Sequence, residues 1–169
     1  MSENYNLLMF EHFHRIDVII LSIQFYSFLG YDHEGRCVIL NKAANLIVDD
    51  ITNVDDYCNY FCYFLEIYVP RKLKGYVSEY LVLADVRGLG SDNFKLAITK
   101  RNVHDGTTYC PERQYKFIGV NVGSWGTNFW RVFNYLIPKR TLGKINLIGE
   151  DRAEILSALT EVMDISVIP

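Results

Sequence analysis

Residues 80–90 read YLVLADVRGLG. From Tyr80 to Ala84 the run is apolar with no polar alternation, the pattern of a strand covered on both faces in a parallel sheet, and it ends at Asp85 before Arg87, Gly88 and Gly90 turn the chain. Parallel neighbours cannot be joined by a tight hairpin and need long crossovers, usually helical. Downstream, Ser91 is read as the cap of a helix through Phe94, Ala97 and Ile98 that ends near Gly106. Phe117 to Val122 is the next strand, an aromatic helix follows, Ile145 to Ile148 is another strand, and Asp151 to Met163 closes as an amphipathic helix. Upstream, Asn53 caps a helix through VDDYCNYFCYFLEIYV, favoured by Asp55 and Asp56 at its positive end and stopped by Pro70. YDHEGR, residues 31–36, is a turn that leads into a strand at Val38-Ile39-Leu40. Leu7, Leu8, Phe10, Phe13, Ile16 and Ile20 suit a helix ending near Gly30. The predicted class is α/β, a mostly parallel sheet with helices on both faces.

Half of the 169 residues are hydrophobic, enough for one sizeable core without metals or staples. The 12 Tyr and 10 Phe require a large interior or a partner surface to cover them. Seventeen basic and 20 acidic residues are mixed along the chain, which argues against a nucleic-acid partner. The N-terminus does not read as a signal peptide and no run approaches the roughly 20 apolar residues of a membrane span, so a cytoplasmic location is expected. No repeat or linker divides the chain.

Sharper chemistries find little support. His12 and His14 are two apart and cannot share a helix face; Cys58 and Cys62 can, but lack two further ligands, so no metal is expected. Cys37, Cys58, Cys62 and Cys110 are read as core thiols. Gly88-Leu89-Gly90 lacks the third glycine of a dinucleotide fingerprint, and Val122 stands where the hydrolase elbow before Ser124 needs glycine. No nucleophile is paired with a base, and neither catalysis nor a cofactor is expected.

The order of features is more specific than any one of them. A strand ending Asp85-Val86-Arg87-Gly88 is followed by Cys110-Pro111-Glu112-Arg113, the strand KFIGVNV, an aromatic helix, and Thr141-Leu142-Gly143-Lys144-Ile145. With the upstream turn Asp32-His33-Glu34-Gly35-Arg36-Cys37-Val38, this set resembles the CRAL-TRIO (Sec14-like) family over about residues 25–169. Asp85, Gly88 and Arg113 take structural motif positions, whereas Cys110 replaces the motif tyrosine and Gly123 a usual proline.

The resemblance implies a sheet floor under an apolar pocket, closed by a mobile gate helix. Phe129, Val132, Phe133, Leu136 and Ile137 form one apolar stripe by spacing, and Trp125 and Trp130 add aromatic surface. The resemblance makes this stripe the gate, with Gly123, Gly126 and Pro138 as hinge positions. In the phosphatidylinositol-binding branch the positions of Glu112, Thr141 and Lys144 form the headgroup site. Thr141 would donate a hydroxyl, Lys144 a cation, and Glu112 would orient the lysine. Tyr80 and Val82 stand where phosphatidylcholine binders carry small hydroxyl residues, which disfavours that lipid. Residues 1–24 read as a helical segment shorter than the family's N-terminal subdomain. The expected partners are one phospholipid or other hydrophobic ligand and, transiently, a membrane surface. A protein-interaction module, a carrier of retinoid- or tocopherol-like ligands, and a homodimer are the competing expectations.

Overall fold

Burial on both faces of the sheet explains why residues 80–84 show no polar alternation. The computed structural model describes residues 25–46, 54–75, 77–109 and 112–168. Strands β1 (Tyr26–Tyr31), β2 (Cys37–Lys42), β3 (Tyr80–Asp85), β4 (Gln114–Val120) and β5 (Ile145–Leu147) form one sheet in the order β1-β2-β3-β4-β5. β1 pairs antiparallel with β2, and every later pairing is parallel. β3 sits at the centre, with Leu81, Leu83 and Ala84 almost fully buried. The expected α/β class with a mostly parallel sheet is the one the chain adopts.

The crossovers run through α1 (Val54–Tyr63, continued by a π turn over Phe64–Tyr68), α2 (Leu96–Tyr109), and α3 (Ser124–Phe133) with the short α4 (Lys139–Leu142). Because the strand order never reverses, right-handed crossovers keep all three connections on one side of the sheet. Cys37, Ile39, Tyr80, Val82 and Phe117 face that side and meet Tyr57, Cys58, Tyr60, Phe64, Leu65 and Ile98 from α1 and α2. Both faces are covered, as expected, but unequally. Val38, Leu40, Leu81, Leu83, Ile118 and Val120 point to the other side, where α5 (Arg152–Thr160) and the residues after it supply Leu159 and Met163. Asp151 starts α5 by accepting from the Ala153 and Glu154 amides at 2.8 and 3.3 Å.

Three local expectations change. The helix expected to end near Gly30 is replaced over Tyr26–Tyr31 by β1, because the Asp32 turn returns the chain antiparallel along β2. The remainder of that expected helix, and the Asn53 cap, lie outside the described residues. Ser91 does not cap a helix. Ser91–Asn93 form a 3-10 turn, in which the Asn93 side chain accepts from the Gly90 amide and donates to the Ala44 and Leu46 carbonyls; α2 begins only at Leu96. β4 begins at Gln114, three residues earlier than the apolar pattern suggested, and ends at Val120.

The 31–36 turn is built around Asp32. Its carboxylate accepts from the Glu34 and Arg36 amides at 3.0 and 2.8 Å and pairs with the Arg36 guanidinium at 3.0 Å. Arg36 also pairs with Glu34 and lies over the Tyr115 ring at 3.7 Å. Next to it the backbones of Asp32 and Met163 form an isolated bridge, the His33 amide donates to the Val162 carbonyl at 2.9 Å, and His33 Nε2 lies 3.1 Å from the Thr160 carbonyl. The C-terminal segment is thereby tied to the first hairpin.

Candidate functional site

On the crossover side the helices do not close down onto the sheet. A cavity of about 590 Å³ remains, within the roughly 300–1,000 Å³ typical of small-molecule sites. Its floor is made of alternate strand residues, including Tyr80, Val82, Phe117, Ile145 and Leu147. Gly119 continues this face, and a Cβ there would come within 2.7 Å of Leu147 Cδ2, so glycine allows Leu147 to lie across the floor. Phe61, Phe64 and Leu65 from the α1 side, Val103 from α2, and Phe129, Trp130 and Phe133 from α3 form the walls.

The α3 aromatics recur every four residues and therefore stack along one helix face. Trp125 lies on Phe129 at 5.3 Å and 12° between planes, Phe129 on Phe133 at 5.1 Å and 20°, and Phe94 meets Phe129 edge-on at 4.6 Å. Of the six residues expected to line the pocket, Phe129, Trp130, Phe133 and Ile137 do so. Trp125 and Leu136 instead line a smaller hollow of about 240 Å³, with Phe94, Leu96 and Val132. The stack thus lies between two hollows, which the spacing alone does not reveal. Val132 at 66% and Tyr135 at 87% exposure turn outward from the same helix end. Gly123 precedes α3 in an extended conformation, and Pro138 precedes α4.

The polar corner of the cavity brings together residues 32 apart in sequence. Lys144 Nζ donates to Glu112 Oε2 at 3.0 Å and to the Gln114 carbonyl at 2.9 Å. Arg140 Nε reaches the other oxygen, Glu112 Oε1, at 3.1 Å. Two cations therefore share one carboxylate, leaving the corner one positive charge in excess. Glu112 itself has φ 61, a left-handed conformation that is uncommon for a residue with a side chain. Thr141 lies on the short helix between the two cations, lines the cavity, and its hydroxyl has no hydrogen-bond partner among the described residues. The expected triad of Glu112, Thr141 and Lys144 is thus gathered in one place. Arg140 was not anticipated, although the Lys139-Arg140 pair directly before Thr141 offered the signal.

The motif residues outside the cavity hold the strand ends in register. Asp85 Oδ1 accepts from the Arg87 amide at 3.0 Å and from Asn121 Nδ2 at 2.8 Å, joining the ends of β3 and β4. Asn121 adopts φ 60, which asparagine tolerates better than most residues. Gly88 has φ +75, where a side chain would be strained. The Arg113 carbonyl accepts from the Tyr80 amide at 2.9 Å, at the start of β3. Cys37 and Cys58 are buried, and burial pushes both thiols up to about 11. Among the described residues no group of His, Cys, Asp and Glu is arranged to hold a metal, and no helix is long and apolar enough to cross a membrane.

Residues 21–169 match the family model of the CRAL/TRIO domain. The chain belongs to the CRAL/TRIO domain family. Among solved structures, the crystal structure of Sfh5, a Sec14-like protein, matches with a TM-score of 0.63 at 15% identity. The match covers 76% of this chain and 48% of that one, so this CRAL/TRIO domain spans about half the length of that relative. No curated protein matches. Family membership places the chain among domains that bind lipids and other hydrophobic ligands.

Proposed function

We propose that this CRAL/TRIO domain holds a single phosphatidylinositol molecule and transfers or presents it between membranes, without covalent chemistry. The observation that carries the reading is the junction of an aromatic-walled cavity with a corner where Lys144 and Arg140 share Glu112. Burying each methylene of an acyl chain contributes about 0.8 kcal/mol, which drives retention. Hydrogen bonds between charged partners are stronger than neutral ones, which gives an anionic phosphate a reason to enter the corner. In this arrangement Lys144 contacts the phosphate, Thr141 donates its unpartnered hydroxyl, and Glu112 holds the lysine in place. The α3 stack serves as the gate, opening where Val132 and Tyr135 meet a membrane surface.

Lipid loading tests this reading. Protein purified from a eukaryotic host, analysed by native mass spectrometry and lipid extraction, is expected to carry one phosphoinositide per chain. Lys144→Ala is expected to reduce phosphatidylinositol pickup about tenfold, about 1.4 kcal/mol, with an unchanged circular dichroism spectrum. Pickup equal to wild type would remove the headgroup assignment. A cavity that takes no lipid at all would favour the interaction-module reading.

A further inference from the structure

The charged residues lining the cavity, Glu112, Arg140 and Lys144, all lie at one corner. At the opposite edge of the floor the lining is polar but uncharged. Tyr26 on β1 and Asn41 on β2 are directly paired across the antiparallel ladder and both border the cavity. Tyr80 and Asn102 line it too, and Asn102 Nδ2 donates to Tyr57 Oη at 3.5 Å.

Two features separate this cluster from ordinary core polarity. Asn41 is buried to 8% exposure, and its Nδ2 donates to the Phe25 carbonyl at 3.2 Å. That bond fixes the amide orientation, so Oδ1 is the free end, with no hydrogen-bond partner among the described residues. Tyr26 is clamped by its ring, stacked on Phe64 at 4.6 Å and 19°, and its hydroxyl likewise has no partner among the described residues. Burial holds this phenol well above the usual tyrosine range, and the phenols of Tyr57, Tyr80 and Tyr60 reinforce the shift. It therefore stays protonated and neutral. Both residues border the cavity, and a cavity built only for hydrocarbon would be better lined by Phe and Leu at these positions.

We infer that the Tyr26–Asn41 edge is a second polar subsite of the cavity, which takes a neutral hydroxyl at the far end of an acyl chain, so that a lipid hydroxylated there is held more tightly than one ending in a methyl group. A hydroxyl matches the unmet groups: it donates to Asn41 Oδ1 and accepts from the Tyr26 phenol. An anion would meet no cation there, and an ammonium no carboxylate. The two subsites are separated by the sheet itself. Asn41 is three strands from β5, roughly 14 Å at the usual interstrand spacing, and Lys144 lies three residues before Leu147, the β5 residue at Asn41's level, which adds roughly 10 Å along the strand. The diagonal of roughly 17 Å calls for a long chain with oxygen at both ends.

This inference rests on the lipid-binding reading, and the test separates the two. The probes are palmitate and ω-hydroxypalmitate, whose carboxylate suits the cationic corner, titrated against the full chain by calorimetry. Wild type is expected to bind ω-hydroxypalmitate about tenfold more tightly than palmitate. In the Tyr26→Phe, Asn41→Leu double variant this ratio is expected to fall to about one. Equal affinity of wild type for both probes would overturn the second subsite while leaving the cavity reading intact. Binding of neither probe would overturn this inference, and the cavity reading falls with it only where phosphatidylinositol uptake is absent as well. A ratio unchanged in the double variant would show the hydroxyl to be recognised elsewhere, and would equally overturn the assignment.

Discussion

The two faces of the sheet are built from the same strands, yet one carries an aliphatic core cluster and the other borders a cavity. On the aliphatic face Val38, Leu40, Leu81, Leu83 and Ile118 form one buried cluster with Leu159 and Met163. On the other face Tyr80, Phe117, Phe64 and Phe129 line the cavity from the floor and from two walls. Stacked rings are stiff and keep their spacing, whereas aliphatic chains rotate to fill gaps. Stability and ligand binding are thereby assigned to opposite faces, and substitutions on each should show different signatures.

The largest contrast is expected from matched truncations. Leu83 and Leu65 are almost equally buried, at 2% and 4%, but Leu65 borders the cavity. Leu83→Ala is expected to lower unfolding free energy by about 4 kcal/mol and Leu65→Ala by about 2, because a residue beside a void has fewer contacts to lose. Chemical denaturation of both variants checks this, and equal losses would break the comparison. Next, Phe133→Asp is expected to weaken uptake of every lipid by about thirtyfold, about 2 kcal/mol, since it removes one ring of the stack and desolvates a charge. Vesicle-to-protein transfer of two unrelated lipids measures it, and loss of only one would mean that the stack reads headgroups. Cys58, with its thiol pushed from 9 to about 11, is expected to react with a thiol probe at pH 8 about a hundredfold more slowly than in urea. Mass spectrometry of the labelled peptide decides this. The smallest effect is expected from Tyr135→Ser. At 87% exposure it should change stability by less than about 0.5 kcal/mol while reducing vesicle association severalfold.

The central strand was readable because burial on two faces leaves a composition that few other settings produce, and the gathering of Glu112, Thr141 and Lys144 was legible only through the order of the family motifs. β1 was misread. Tyr26, Phe28 and Tyr31 pack partly against the core, so YSFLGY shows no clear alternation, and the strand is specified by the Asp32 turn and by its partner β2. The start of α2 was misplaced for a similar reason: Asn93 forms its bonds to Ala44 and Leu46, nearly fifty residues away, and no local signal predicts that. The partition of the α3 aromatics between two hollows depends on where Phe94 lies, again a long-range fact.

The bridge between Asp32 and Met163 has a consequence for biosynthesis. Leu159 and Met163 complete the aliphatic face, and their anchor is the turn made by residues 31–36, about 130 residues earlier. A ribosome-bound chain therefore holds a finished central strand with one greasy side uncovered until residue 163 has cleared the exit tunnel. During that interval the uncovered side carries the aggregation hazard of any exposed apolar surface, and it is relieved only after translation has passed this point.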